Sequence, residues 1–109
     1  MVDGYLGTLT TEERTLLHLI NHQLPSGGWE APALLTQAGI SAAVHVQRKH
    51  IPRTLKRMEK NGQLYVAQRH IPGGKQRKRV YTLTEIGQLA AETLRERVLS
   101  EQVIRDGAT

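Results

Sequence analysis

The chain has 109 residues, about the length of one domain. Its 39% hydrophobic and 23% charged residues are ordinary for a globular protein, and the lack of cysteine excludes disulfide bonds and thiolate metal sites. With three Tyr, one Trp and no Phe, any core must be aliphatic. No apolar run approaches the roughly 18 residues of a membrane span, and the first residues do not read as a signal peptide. We therefore expect a cytoplasmic protein with no membrane partner.

Positive charge is concentrated in the middle of the chain. The net charge is +5, from fifteen Lys and Arg against ten Asp and Glu. Between Arg48 and Arg79, eleven basic residues stand against one acidic residue, Glu59, so this segment carries +10 and the rest of the chain −5. Such a distribution favours a surface that binds a polyanion. The alternative is a solvated basic surface that has no partner.

The first part of the chain predicts a capped helix and a short strand. Thr10 and Glu13 have the spacing of a capping box, and apolar residues recur at helical spacing behind them. We therefore expect a helix over residues 11–23, which the turn at 24–28 ends. Residues 29–31 leave room for only a very short strand.

Two further helices are predicted on either side of a tight turn. Thr36 is placed to cap a helix over residues 37–44, and the pattern breaks near His45. A third helix then runs from Gln47 or Arg48 to Asn61. Asn61 and Gly62 end it, since both tolerate left-handed backbone angles.

Beyond Gly62 the spacing of apolar residues changes from the helical period of 3.6 residues to the strand period of 2 residues. Residues 64–71 and 79–83 read as two strands, and Pro72 to Lys75 supply the turn between them. Thr84 is placed to cap a last helix that extends to about Arg105.

This order of elements is the winged helix-turn-helix arrangement, an α+β fold that is mainly α. It predicts a three-helix core, a small antiparallel β-hairpin wing and a long C-terminal helix. We expect one domain over residues 1–109, with the helix-turn-helix at about 36–61, the wing at about 64–83 and the C-terminal helix at about 84–105.

Three stretches resemble the MarR-like winged-helix DNA-binding domains of prokaryotic and archaeal regulators. Gln37, Ser41, His45 and Ile51 have the spacing of a helix-turn-helix. Leu55 to Leu64 is similar to the end of the recognition helix in that family. Val80 to Gly87 resembles its Y-x-L-T-x-x-G junction between the second wing strand and the next helix. The resemblance covers residues 10–91 and implies a DNA-binding transcriptional regulator.

The sequence departs from the family pattern at two positions. His45 stands where the family prefers Gly, although His tolerates a positive φ better than most residues do. Pro52 removes one hydrogen bond within the third helix. The recognition helix is therefore expected either to begin late, near Lys49, or to have a distorted first turn.

The third helix carries cations opposite its apolar side. If Ile51, Leu55 and Met58 point inward, the outer side carries Lys49, Arg53, Arg57 and Lys60, with Arg48 and Lys56 beside them. Arg and Lys in the major groove can bond guanine, so we expect Lys49 and Arg53 at base edges. Arg57 and Lys60 are expected on phosphates. The alternative is that these residues only keep the outer face solvated.

The basic loop reads as a wing rather than a disordered tag. Gly73 and Gly74 allow a hairpin tip to approach the DNA backbone, where Lys75, Arg77 and Lys78 would meet phosphates or the minor groove. Strand alternation puts Arg77 on the opposite face from Lys78. The free N–H groups at Thr36 and Gln37 could hold a further phosphate, although capping alone explains Thr36 equally well.

The sequence thus predicts a sequence-specific regulator of double-stranded DNA. We also expect a homodimer formed through the first helix and the end of the last, because apolar residues there exceed what the small core can cover: Val98, Leu99, Val103 and Ile104. The alternative is a nucleic-acid-associated or protein-interaction module of a larger assembly. We expect no enzyme, cofactor or metal, since Gly73-Gly74-Lys75 lacks phosphate-loop spacing and His18 and His22 lack the Glu of a zinc-protease helix.

Overall fold

The computed structural model describes residues 9–24 and 28–107, with side chains described as far as Glu101. Its elements in chain order are α1 (Thr11–Ile20), α2 (Gln37–Val44), α3 (Ile51–Lys60), β1 (Leu64–His70), β2 (Arg77–Leu83) and α4 (Glu85–Gly107). Short 3₁₀ turns at Ala33–Leu35 and Arg48–His50 precede α2 and α3. The predicted α+β, mainly α, winged helix-turn-helix is confirmed.

Helix α1 begins with the predicted capping box. The Thr10 N–H donates to Glu13 Oε1 at 2.9 Å, and the Glu13 N–H donates to Thr10 Oγ1 at 3.1 Å. The helix ends at Ile20, so the predicted end at Gln23 is wrong. The N–H groups of Asn21 and His22 bond carbonyls three residues back, which tightens the last turn into 3₁₀ geometry.

Helix α2 has the predicted bounds because its signals are local. Thr36 Oγ1 accepts from the Gly39 N–H at 3.1 Å and caps the first turn. His45 ends the helix with φ 57° and ψ 45°, the left-handed conformation that the sequence required at this turn. The Val46 N–H then returns to the Ser41 carbonyl at 3.2 Å, which closes the turn.

Helix α3 begins later than either predicted start. Residues Arg48–His50 form a 3₁₀ turn, and the α-helix begins at Ile51 with Pro52 in its first turn. In that first turn the missing N–H of Pro52 removes no hydrogen bond within the helix, so the late start expected as one alternative is present, preceded by the 3₁₀ turn. At the other end Gly62 has φ 77°, and the Gln63 N–H reaches the Met58 carbonyl at 2.9 Å, as in a Schellman motif.

The wing is a two-stranded antiparallel sheet. Its register pairs Leu64 with Leu83 and His70 with Arg77. Strand β2 begins two residues before the predicted Arg79, and β1 ends one residue before the predicted Ile71. The short strand expected at residues 29–31 is reduced to one parallel bridge, between Glu30 and His70.

A single aliphatic cluster joins all of these elements. Its most deeply buried members are Leu19, Leu35, Ile40, Ile51, Leu55, Met58 and Val80. From α4, Ala91 and Leu94 complete the cluster on the side of α1. Burial of this apolar surface is the main force that fixes the orientation of α3 and the wing.

Glycine allows two close approaches of backbone to backbone. A Cβ at Gly39 would overlap the carbonyl oxygen of Ala33, and one at Gly87 would overlap that of Gln63. Gly39 lets α2 pack on the preceding 3₁₀ turn, and Gly87 lets α4 pack on Gln63, in the turn between α3 and β1. In the part of the chain that the structure describes, no helix has the length and apolar content to cross a bilayer.

Candidate nucleic-acid interface

The outward side of α3 is basic. The buried residues of this helix are Ile51, Leu55 and Met58, as predicted, and in addition Thr54. Because Thr54 is buried, the inward face is rotated toward it, and the opposite side is centred on Arg53, Lys56 and Lys60. Lys56, which the sequence suggested only as a flanking residue, therefore lies on the outer face itself.

Arg57 lies at the edge of this face rather than at its centre. Its Nη1 atom is 3.2 Å from Oε1 of Glu12, in the first turn of α1. The Arg57 side chain is 55% exposed, so the pair is reached by solvent. Arg57, predicted as a phosphate ligand, is thus paired with a carboxylate that no sequence pattern placed beside it.

The residues before α3 are exposed as well. Arg48 and Lys49 lie in the 3₁₀ turn, together with His50, and none of the three is buried. This turn extends the cationic surface of α3 toward α2.

A cleft of about 280 Å³ joins this surface to the wing. We call it the basic cleft, and it is lined by Thr36, Gln37, Arg48, Lys78 and Arg79. Its three cations come from two elements, because Arg48 precedes α3 whereas Lys78 and Arg79 belong to β2. Arg79 was not a predicted site residue. Its cross-strand partner is the neutral Gln68. Only the approach of β2 to the start of α2, where Gln37 bonds Tyr81, shows that Arg79 lines a cleft.

Thr36 and Gln37 use their side chains within the fold. Thr36 is buried, and its hydroxyl donates to the Ala33 carbonyl at 2.7 Å while capping α2. The Gln37 Nε2 atom donates to the Tyr81 hydroxyl at 3.1 Å. The Thr36 N–H also donates to the Ala33 carbonyl at 3.1 Å, so the predicted free N–H at Thr36 is wrong. An anion in the cleft would instead meet the N–H groups that begin α2 at Gln37.

The end of the wing brings like charges together. The register sets Arg69 opposite Lys78 and His70 opposite Arg77, and Lys75 is exposed in the connecting turn. Residues 64–83 contain no Asp or Glu. Within the described structure, the buried Nε atom of Arg69 has no hydrogen-bond partner. The wing therefore carries cationic groups that its own residues do not neutralise.

The two histidines of α1 are engaged in packing. His18 Nε2 donates to the Leu34 carbonyl at 2.9 Å, and the His18 and His22 rings are 4.8 Å apart. Burial is the main cause that lowers the pKa of His18 below 6.5, so the neutral ring is favoured.

A groove of about 420 Å³ lies between α1 and α4, on a part of the molecule distinct from the basic cleft. Its lining is largely apolar and includes Leu16, Leu89 and Leu94. Leu89 is 65% exposed, and Ile86, one helical turn before it, is also exposed. Of the apolar residues on which dimerisation was predicted, Leu99 is exposed and Val98 packs in part against the core. The side chains of Val103 and Ile104 lie outside the described residues.

No protein-family model matches this sequence, and no curated protein matches it significantly. Solved structures are nevertheless similar to it. MepR, a transcription regulator of the Staphylococcus aureus multidrug efflux pump MepA, superposes with a TM-score of 0.67 at 19% identity, over 99% of this chain and 70% of that chain. The MarR family transcriptional regulator SPO1453 from Silicibacter pomeroyi DSS-3 gives 0.68 at 16% identity, over 98% and 66%.

The structure of an S. aureus MepR–DNA complex is also similar, with a TM-score of 0.62 at 19% identity, over 97% of this chain and 76% of that chain. The chain therefore has the winged helix-turn-helix fold found in MarR-type regulators. It spans about two thirds to three quarters of the length of these three proteins.

Proposed function

We propose that this chain binds double-stranded DNA sequence-specifically as a transcriptional regulator. The observation that carries the proposal is the position of Arg48. It lines the basic cleft with Lys78 and Arg79 and lies directly before α3, so the cations of the helix and of the wing form one continuous surface. The similarity to MepR, which has been solved with DNA, supports the same reading.

Helix α3 is the element that enters the major groove. Its outward side is exposed along its length and carries Arg53, Lys56 and Lys60. Arg and Lys at this position can donate to O6 and N7 of guanine, with about 1–3 kcal/mol of discrimination for each well-formed pair. Lys49 and Arg53 lie nearer the entering end of the helix and read base edges. Lys60 lies at its far end and contacts phosphate.

The wing contacts the sugar–phosphate backbone or the minor groove. Lys75 and Arg77 are exposed at its end, and Lys78 lines the basic cleft. A phosphate in the cleft would meet Arg48, Lys78 and the N–H groups at the start of α2 together. Such contacts fix the register of the protein on DNA and carry no sequence information themselves.

The functional form is a cytoplasmic homodimer of a single-domain chain. The surface of α1 and α4 supports this, because Ile86, Leu89 and Leu99 are large apolar residues that the described structure leaves exposed. Two copies related by a two-fold axis would present two α3 helices to a palindromic site. Sedimentation at micromolar concentration should give twice the chain mass, and a monomer at these concentrations would contradict the dimer.

The DNA-binding proposal is tested by selection from a random duplex pool, followed by affinity measurements over a range of salt concentrations. A selected duplex should bind more tightly than a mixed-sequence duplex, and its affinity should fall steeply with salt. Arg53→Ala should reduce the preference for the selected duplex. Arg95→Ala removes an equal charge from the exposed part of α4 and serves as the matched control.

Three outcomes would contradict the proposal of a sequence-specific regulator. Equal affinity for all duplexes would indicate an architectural DNA-binding protein. A preference for RNA or single strands would indicate a module of another nucleic-acid assembly. No binding to any nucleic acid at low salt would indicate that the basic surface binds an acidic protein partner.

A further inference from the structure

The ion pair between Glu12 and Arg57 joins two elements that lie far apart in the sequence. Nη1 of Arg57, on the edge of α3, is 3.2 Å from Oε1 of Glu12, in the first turn of α1. The Glu12 side chain is 30% exposed, so both partners are reached by solvent. An acidic residue thus lies at the border of the surface that is proposed to meet DNA.

The ion pair between Glu12 and Arg57 is weak as the structure shows it. It uses one nitrogen and one oxygen, whereas a guanidinium can form two parallel hydrogen bonds to a carboxylate or a phosphate. Exposed pairs of this kind contribute little to stability. The Glu12 carboxylate lies in the first turn of α1, where the helix dipole interacts favourably with negative charge. Arg57 therefore has a local anionic partner that a stronger ligand can displace.

The surroundings of the pair leave room for such a ligand. A shallow cavity of about 320 Å³ lies beside it, lined by Thr10, Thr11, Glu12, Thr54 and Arg57. Apart from Glu12, its lining carries hydroxyl groups and the guanidinium, which can all donate to an anion. The Glu12 carboxylate is the one group among these five that would repel a phosphate.

We propose that Glu12 limits the affinity of this protein for DNA by competing with a backbone phosphate for Arg57. The inference rests on the proposed DNA-binding function. When a duplex docks, Arg57 exchanges the carboxylate for a phosphate, and Glu12 is left beside the polyanion. Because phosphate contacts read no sequence, the reduction is the same for specific and mixed-sequence duplexes.

A positioning role would have the opposite consequence. If Glu12 held Arg57 in the geometry needed for DNA, then removing the carboxylate would weaken binding. If Glu12 competes, removing it strengthens binding. The sign of the change in affinity therefore separates the two.

The experiment compares Glu12→Gln with wild type on a mixed-sequence duplex and on the selected duplex. We expect binding to both to become about two- to fivefold tighter, the effect of one exposed charge pair. The slope of log affinity against log salt should become steeper by about one, because binding no longer leaves an unpaired carboxylate beside the phosphates. Circular dichroism confirms that the variant folds, since the capping box uses Glu13 rather than Glu12.

The control is Glu59→Gln, an equal change of charge on α3 itself. Glu59 is exposed and has no ion pair within the described residues. Glu59→Gln changes only the long-range electrostatic field. Its effect on duplex affinity should therefore be the same in wild type and in Arg57→Gln. The effect of Glu12→Gln should shrink to that of Glu59→Gln once Arg57 has been replaced.

Unchanged or weaker duplex binding by Glu12→Gln would overturn the inference, as would an effect that persists undiminished in Arg57→Gln. A failure of the proposed function is distinguishable from this, because in that case wild type itself would not bind the duplexes.

Discussion

Gln37 and Tyr81 join the helix-turn-helix to the wing through one hydrogen bond. Nε2 of Gln37, the first residue of α2, donates to the Tyr81 hydroxyl of β2 at 3.1 Å. The Tyr81 side chain is buried, and its strand neighbours Lys78 and Arg79 line the basic cleft that begins at Gln37. The bond therefore fixes the separation of the two walls of the cleft.

Tyr81→Phe tests the contribution of this bond. We expect the free energy of unfolding to fall by about 0.5–1.5 kcal/mol, because the Gln37 amide loses a partner in a partly buried site. Urea denaturation measures the change. The matched control is Tyr65→Phe, since the Tyr65 ring is 62% exposed, and its effect should stay within about 0.5 kcal/mol. Equal effects at the two positions would contradict the assigned role of the bond.

Gly39→Ala should disrupt the helix-turn-helix. The added Cβ would overlap the backbone of Ala33 and Leu34, which cannot move aside as a flexible side chain can. We expect a loss of about 1–3 kcal/mol or more in thermal or urea unfolding. Gly74→Ala is the control, since its Cβ would be 3.3 Å from the Ile71 carbonyl, a contact that a small shift relieves. A Gly39→Ala variant as stable as wild type would show that α2 can move away from the 3₁₀ turn.

His45→Gly should stabilise the protein. His45 has φ 57°, and the left-handed conformation costs an L-residue about 1–2 kcal/mol, part of which the entropy of glycine in the unfolded chain offsets. We expect a net gain of about 0.5–1 kcal/mol, and a loss for the β-branched His45→Val. Urea denaturation of the two variants measures both changes in the free energy of unfolding. A His45→Gly variant less stable than wild type would contradict the assigned backbone strain at His45.

These elements indicate what could be predicted from the sequence. The bounds of α2 were predicted because Thr36 caps its own helix and His45 ends it, and both signals lie within a few residues. The start of α3 was not predicted, because the pattern located Pro52 but did not decide between a late start near Lys49 and a distorted first turn. Glu12 and Arg57 are separated by 45 positions, and Gln37 and Tyr81 by 44. Periodicity assigns a residue to a face of its helix but does not identify the neighbour across the core.

Lys78→Ala should reduce the salt dependence of duplex binding. Lys78 lines the basic cleft, so losing it should lower the slope of log affinity against log salt by about one and weaken binding to all duplexes alike. Arg95→Ala, on α4, should leave the slope unchanged. An unchanged slope for Lys78→Ala would indicate that no phosphate occupies the cleft.

The capping box should make stability depend on pH. The hydrogen bond from the Thr10 N–H, and after it the one from Arg97, hold the pKa of Glu13 below 4.5. The unfolded chain therefore binds this proton more readily than the folded one, so the contribution of Glu13 is present above pH 4.5 and is lost as the pH falls through the folded-state pKa. Glu13→Gln should melt below wild type at neutral pH and approach it as the pH falls below the folded-state pKa of Glu13. A difference in melting temperature that does not change with pH would contradict this account.

The register of the wing places cations where they lower the stability of the sheet but serve the proposed binding of DNA. Arg69 is opposite Lys78, and like charges directly across a sheet destabilise it. Replacing Lys78 with an acidic residue would relieve that repulsion, but the same change would put a negative charge into the basic cleft. A variant library selected for thermal stability alone should therefore accumulate acidic residues in the wing and lose affinity for polyanions. The wing is thus a poor target for stabilising mutations, and the turn at His45 is a better one.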